Sequence, residues 1–257
     1  MHDLRNLVSG INDRDRPVTV FFRDDDGGWA NERLEALCDR FVACGTALDL
    51  AVIPGALDTD AEFALRRNLR RHGDLLHLHQ HGYTHTNHQH SGRKCEFGND
   101  RDLQAQRRDI VKGRSRLQEM FGDWVEPIFT PPWNRCTSST CAALAGLNFA
   151  GISRVAGSSE IDCHGLVDVS IAVDWQKSRA GVRLSRPDFF QYANRRFAEH
   201  DVVGVMLHHE LMDDEELAFF TAFLEALQKS SNVEFRSMIQ ITESRYIEDV
   251  AREYSLT

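Results

Sequence analysis

Three acids in a row, Asp24, Asp25 and Asp26, end an apolar run and precede Gly27 and Gly28 in FFRDDDGGW. Adjacent carboxylates repel, so holding them together costs free energy unless a cation or hydrogen-bond donors compensate, and a divalent cation is the natural compensator. A solvated acidic turn is the plain alternative. Further along, LLHLHQHGYTHTNHQH holds His77, His79, His81, His85, His88 and His90, six of the twelve histidines within fourteen residues. Neutral imidazole is the commonest metal ligand at physiological pH. His81 and His85 have the four-residue spacing that brings two side chains to one face of a helical turn. His77 and His79 alternate along the preceding strand and share one of its faces, so core or supporting roles fit them equally well.

Three more clusters carry chemistry. In FTPPWNR, Pro131 and Pro132 fix an extended backbone and Trp133 offers a broad apolar face on which a sugar stacks. In VDVSIAVDW, Asp168 and Asp174 flank an otherwise apolar strand and Trp175 follows it. In VVGVMLHHE, His208 and His209 terminate an apolar strand. Each cluster has an ordinary structural alternative: a rigid loop around a core tryptophan, strand-end solvation, or a satisfied histidine pair.

The elements that must position these groups alternate. Apolar runs of strand length fall at Val18 to Phe22, Ala47 to Ile53, Leu75 to Leu78, Pro127 to Phe129, Phe149 to Ile152, Leu166 to Val173, Val202 to Leu207 and Val233 to Phe235, with helix-period segments between. That alternation predicts βα units around a mostly parallel sheet. Leu34, Leu37, Cys38, Phe41 and Val42 form one apolar stripe on a helix that Gly45 stops. Asp213 to Gln228 opens with four acids and carries Leu217, Phe220, Leu224 and Leu227 on one face, a second helix. Ser153 to Gly165 reads as loop. All five clusters fall at or just past the C-terminal ends of predicted strands, the face on which α/β barrels build their sites.

Composition narrows the function. A formal charge of −9 disfavours nucleic acid and anionic membrane as partners. Six cysteines without a C-x-x-C pair give no support to a zinc ribbon or a thioredoxin-type site. No linker or repeat divides the 257 residues, so a single domain is expected. Residues 1–16 are polar and no later run is long enough to span a bilayer, which makes a cytoplasmic location the expectation.

From Arg23 to His209 the five clusters resemble the ordered motifs of the NodB-homology polysaccharide deacetylases, carbohydrate esterase family 4 and its relatives. The resemblance implies an irregular (β/α) barrel of about seven to eight parallel strands. It also implies a divalent metal, zinc by default with cobalt or nickel as alternatives, held by Asp26, His81 and His85. Asp25 takes the role of general base, and His208 that of general acid supported by Asp174. Pro132, Trp133, Trp175 and Arg135 are carried over as substrate contacts. Two registers stay open: Asp24 in place of Asp25 as base, and His209 in place of His208 as acid. The family's third motif begins with an Arg that orients the base; here that position is Phe129, so either Arg23 or Arg135 substitutes or the base is tuned differently. The implied reaction is hydrolysis of an acyl group, N-acetyl first, from a sugar or glycan precursor. A non-sugar amide on the same fold and a glycan-binding barrel without catalysis are the competing readings.

Overall fold

The computed structural model describes residues 2–255. Among them, strands and helices alternate: α1 (His2–Asn12), β1 (Val18–Gly27), α2 (Asn31–Cys44), β2 (Leu48–Val52), α3 (Thr59–His72), β3 (Leu76–His81), α4 (Leu103–Phe121), β4 (Val125–Thr130), α5 (Ser138–Ala145) and β5 (Gly151–Ile152). There follow β6 (Val167–Asp168), β7 (Ile171–Asp174), the hairpin β8 (Ser178–Arg179) and β9 (Val182–Arg183), α6 (Arg186–Glu199), β10 (Val202–Leu207), α7 (Asp214–Gln228), β11 (Val233–Phe235) and α8 (Met238–Ser255).

The main sheet is parallel throughout, in the order β6-β5-β4-β3-β2-β1-β10-β7, with β11 beside the start of β1. Its two end strands, β6 and β7, are successive pieces of one segment, so the ends of the order are joined by the chain. The Ile171 N–H also donates to the Arg154 carbonyl, just past β5, at 2.7 Å. The parallel sheet that the alternating pattern implied is therefore curled into an incomplete (β/α) barrel, as the motif resemblance implied.

Strand alternation sorts the side chains into two layers. Val20 and Phe22 of β1, Leu48, Leu50 and Val52 of β2, and Val203, Val205 and Leu207 of β10 face outward, into a core shared with Leu34, Leu37 and Phe41 of α2 and Phe220, Phe223 and Leu224 of α7. Inward-facing Phe21, Ile128, Ile171 and Met206 pack with Met238 and Ile241, so the start of α8 plugs the base of the barrel. Asp49, buried in β2, accepts the Met238 N–H at 3.0 and 3.1 Å on its two oxygens and caps that helix. Above the apolar plug the interior turns polar: Arg23, Asp25, His79 and His81 are all almost fully buried there. No helix among the described residues is long and apolar enough to cross a membrane.

Candidate metal centre and active site

Strand alternation sends the acids of the run to different faces. Arg23 and Asp25 are two apart on β1 and share the inner face, while Asp24 points outward. The Arg23 guanidinium grips the Asp25 carboxylate with both arms, Nε to Oδ1 at 2.7 Å and Nη2 to Oδ2 at 2.8 Å. Its remaining donors go to Ser153 Oγ and Asn134 Oδ1, each at 2.7 Å. Of the two arginines considered for Asp25, Arg23 is the one that bonds it, whereas Arg135 Nη1 donates to the Lys94 carbonyl and Phe129 packs outward on Phe97 and Phe149. A charge-assisted fork of this kind fixes orientation, and each Asp25 oxygen keeps a lone pair for a proton.

Successive strand residues point to opposite faces, so Asp25 and Asp26 reach one site only because the strand is broken between them. The β1–β2 register shifts between Asp24 and Gly27, and Asp26 takes a left-handed φ of 67°. Gly27 beside it suits the close approach to β2, because a Cβ there would meet Val52 Cγ2 at 3.0 Å and the Ala51 carbonyl at 3.2 Å and the neighbours would have to give by a few tenths of an ångström.

Asp26, His81 and His85 converge. Asp26 Oδ1 lies 3.2 Å from His81 Nε2 and 3.3 Å from His85 Nε2, yet it is buried without a hydrogen bond. The His81 Nδ1–H donates to the Thr130 carbonyl at 3.0 Å, which leaves Nε2 facing Asp26. Burial and the neighbouring His81 push His85 down to about 4, toward the neutral ligand form. Burial works upward on Asp26, but His81, His85 and His208 around it hold the carboxyl below its ordinary range. Burial works against a charged His81, but Asp26 and Asp25 outweigh it and pull the ring upward, so a proton is favoured there; a divalent cation would displace it from among three donor atoms of ligand type.

The helical turn suggested by the His81–His85 spacing does not form. His81 is the last residue of β3, and the chain then turns sharply through Gly82 (φ 57°) to His85 (φ 55°). Gly82 has no substitute: a Cβ would lie 2.4 Å from Glu96 Oε2 and 2.5 Å from Pro132 Cγ. Glu96, buried, braces the turn by accepting the Thr84 N–H at 2.9 Å and the Tyr83 N–H at 3.3 Å. Burial drives its carboxyl upward, and those two N–H groups pull it back. Nothing in the sequence around Glu96 signals this role, nor those of Asn134 and Ser153 on Arg23. His88 and His90 lie outside the ligand group.

The remaining candidates divide. Trp133, held at φ 55°, presents its ring 4.4 Å from that of His85, with Trp29 on another side at 5.2 Å. Pro132 is buried under Gly82, and Arg135 and Asp174 line the adjoining cavity. Burial raises the Asp174 carboxyl, against the pull of His208. His208 is half-buried, with an Nδ1 that has no protein partner. Trp175, carried over as a substrate contact, is a core residue by its surroundings: it is 1% exposed, packed on Phe189, Phe220 and Phe223, and its Nε1–H donates to Glu216 at 2.7 Å.

Asp24 and His209, the two register alternatives, pair with each other instead. His209 Nδ1–H donates to Asp24 Oδ2 at 2.6 Å, Nε2–H to the Trp29 carbonyl at 2.8 Å, and the His209 N–H to Asp24 Oδ1 at 3.0 Å. Burial works against the charged ring, but Asp24 outweighs it and pushes His209 up to about 9. With both ring nitrogens donating to protein acceptors, buried His209 presents neither of them to the cavity side where His208 stands.

A second group of ligand-type side chains, Asp49, His77 and Glu126, lies near the starts of β2, β3 and β4, at the opposite end of the barrel. Its members are engaged already: Asp49 caps α8, and the His77 Nδ1–H donates to Glu126 Oε1 at 2.7 Å.

No family model matches the sequence, and no curated protein matches it either. Solved structures do. A chain assigned as a polysaccharide deacetylase from Mycobacterium smegmatis superimposes with a TM-score of 0.71 at 15% identity, over 92% of this chain and 93% of that one. A family 4 acetyl xylan esterase from Clostridium thermocellum, solved with a cobalt ion, gives 0.58 at 13% identity, over 86% and 89%. A carbohydrate esterase family 4 pseudoenzyme from Bacillus anthracis gives 0.58 at 12% identity, over 89% and 66%. Across nearly its whole length, this chain has the fold of the polysaccharide deacetylases and of the carbohydrate esterase family 4 proteins.

Proposed function

We propose that the protein is a metal-dependent deacylase that removes an acetyl group from the nitrogen of an amino sugar. The observation that carries the reading is the convergence of Asp26 Oδ1 with two imidazole Nε2 atoms, one locked in its ligand tautomer, beside a carboxylate gripped by Arg23. Asp26, His81 and His85 would hold the ion; zinc is the default, with cobalt and nickel served by the same donors. A divalent ion in such a site polarises an acyl carbonyl and lowers the pKa of water. Asp25 accepts the proton of the attacking water, with Arg23 fixing its aim. His208 returns a proton to the departing nitrogen, a step an amine leaving group needs far more than an alkoxide from an ester does. Trp133 offers its face to the sugar ring, and Asp174 stands beside His208 as its charge partner.

The occurrence of the fold in a pseudoenzyme favours one alternative, a barrel that binds glycans without turning them over. Metal analysis of the purified protein, run with an acetate-release screen over N-acetylated and O-acetylated sugars and small cyclic amides, separates the readings. About one metal per chain with release from N-acetyl sugars is expected. Metal without release from any substrate class supports the binding barrel, and release from the cyclic amides alone moves the substrate outside carbohydrates.

A further inference from the structure

A cavity of about 620 Å³ opens beside the metal centre and shares Trp133, Asn134 and Asp174 with it. Five cations reach its wall, Arg93, Arg135, Arg154, Lys177 and Arg196, against the single carboxylate of Asp174 among the described lining residues. That balance runs against the protein's own composition, which has 39 acidic to 30 basic residues.

Two of the five are neutralised nearby: Arg154 by Asp168 at 2.9 Å and Arg196 by Glu199 at 3.2 Å. No carboxylate among the described residues pairs with Arg93, Arg135 or Lys177. Arg135 is fixed by its bond to the Lys94 carbonyl at 2.7 Å, which orients the guanidinium without cancelling its charge, and its Nε is buried with no acceptor. The Nε of buried Arg154 is likewise without an acceptor. Burial and the like charge of Arg93 both act to lower the Arg135 pKa, so the two guanidiniums repel where they stand. Cations collected without counter-charge cost free energy that a bound anion recovers, and guanidinium forks match the oxygens of phosphoryl and carboxylate groups.

We infer that this half of the cavity is an oxyanion subsite and that the substrate is an acylated sugar carrying a phosphoryl or carboxylate group near the amide. The inference rests on the deacylase reading of the adjoining site. A neutral polymer would leave the Arg93–Arg135 pair uncompensated; an anionic sugar bridges it while Trp133 covers the ring.

The test is calorimetric binding to metal-loaded Asp25→Asn protein, which separates recognition from turnover. The probes are N-acetylglucosamine 1-phosphate, the 2-acetamido uronic acid and N-acetylglucosamine itself. At least one anionic sugar is expected to bind about tenfold tighter than the neutral one, the scale of one charge-assisted contact. That advantage should shrink with added salt and vanish in the Arg93→Ala/Arg135→Ala double variant, whose melting curve reports its folding. Whether the phosphate or the uronate binds tighter identifies the anion. Equal binding of all three sugars, or an anionic advantage that survives the double substitution, overturns the subsite. Acetate release by unsubstituted enzyme is scored separately. Anionic preference without release leaves the subsite and removes the deacylase reading, and release without preference does the reverse.

Discussion

At the residue scale, neighbours in sequence carry opposite duties because β1 and the end of β10 sort them to opposite faces. Asp25 looks into the barrel under the Arg23 fork, and Asp24 looks out to His209. Asp25→Asn should therefore retain metal and lose turnover by about two to four orders of magnitude, the range for an acid–base group. Asp24→Asn should show up in melting curves instead, since halving a buried ion pair costs about 3–5 kcal/mol. His208→Ala should likewise lose about two to four orders in rate at unchanged metal content; turnover within tenfold of the parent would remove it as the acid. The His209 pair has a pH signature. Its folded pKa, about 9, lies above the ordinary 6.5, so its stabilisation is complete below about pH 6.5 and is lost as pH rises through about 9. Urea titrations of metal-saturated protein should show stability falling across that window, with the slope from this group missing in His209→Gln.

At the scale of elements, the candidate metal centre depends on two interruptions of regular structure: the register shift in β1 that turns Asp26, and the turn after β3 that brings His85 back to His81. The second is braced by Glu96 and closed over by Pro132 against Gly82. Left-handed backbone at a non-glycine residue costs of order 1–3 kcal/mol, and here the surroundings impose it on Asp26, His85, Trp133 and Asn134 together. Gly82→Ala should displace His85 or Pro132 and so lower metal affinity more than it lowers the melting temperature. Metal titration alongside calorimetry checks this, and a variant that keeps full affinity would show that the turn is not what positions His85.

At the scale of the molecule, a site assembled from β1, β3 and the turn after it links regions far apart in the chain, so an ion bound there stabilises the folded state alone. At a hundredfold excess over its dissociation constant the gain is about 2.7 kcal/mol. For a chain of this size that is roughly 5–10 °C in melting temperature. Chelation should lower the melting temperature by that much, and His81→Ala protein should melt at one temperature with or without chelator. An equal chelator effect in both proteins would place the ion elsewhere.

The alternation of strand-length apolar runs with helical stripes was enough to imply βα units around a parallel sheet, because both periodicities are local properties of the chain, while the barrel came from the resemblance of the five motifs. Val202 to Leu207 and Val233 to Phe235 are strands with the bounds their apolar runs suggested, and Gly45 does stop α2. The placement of Asp25, Asp26, His81, His85 and His208 near strand ends was legible for the same reason. What lay beyond the sequence were contacts between distant segments. Composition does not say that Arg23 reaches Asn134 and Ser153, that Glu96 braces the His85 turn, or that His209 is spent on Asp24 and the Trp29 carbonyl. Trp175 after Asp174 looks like a site residue by position along the chain, but the packing of α6 and α7 turns it into the core. The HxxxH spacing fits a helix or a tight left-handed turn equally well, and only the close approach of Pro132 and Glu96 to Gly82 selects the turn. Periodicity fixes which face of an element a residue occupies, whereas partners across the barrel are chosen by which faces meet, and that is a property of the curled sheet and its packed helices alone.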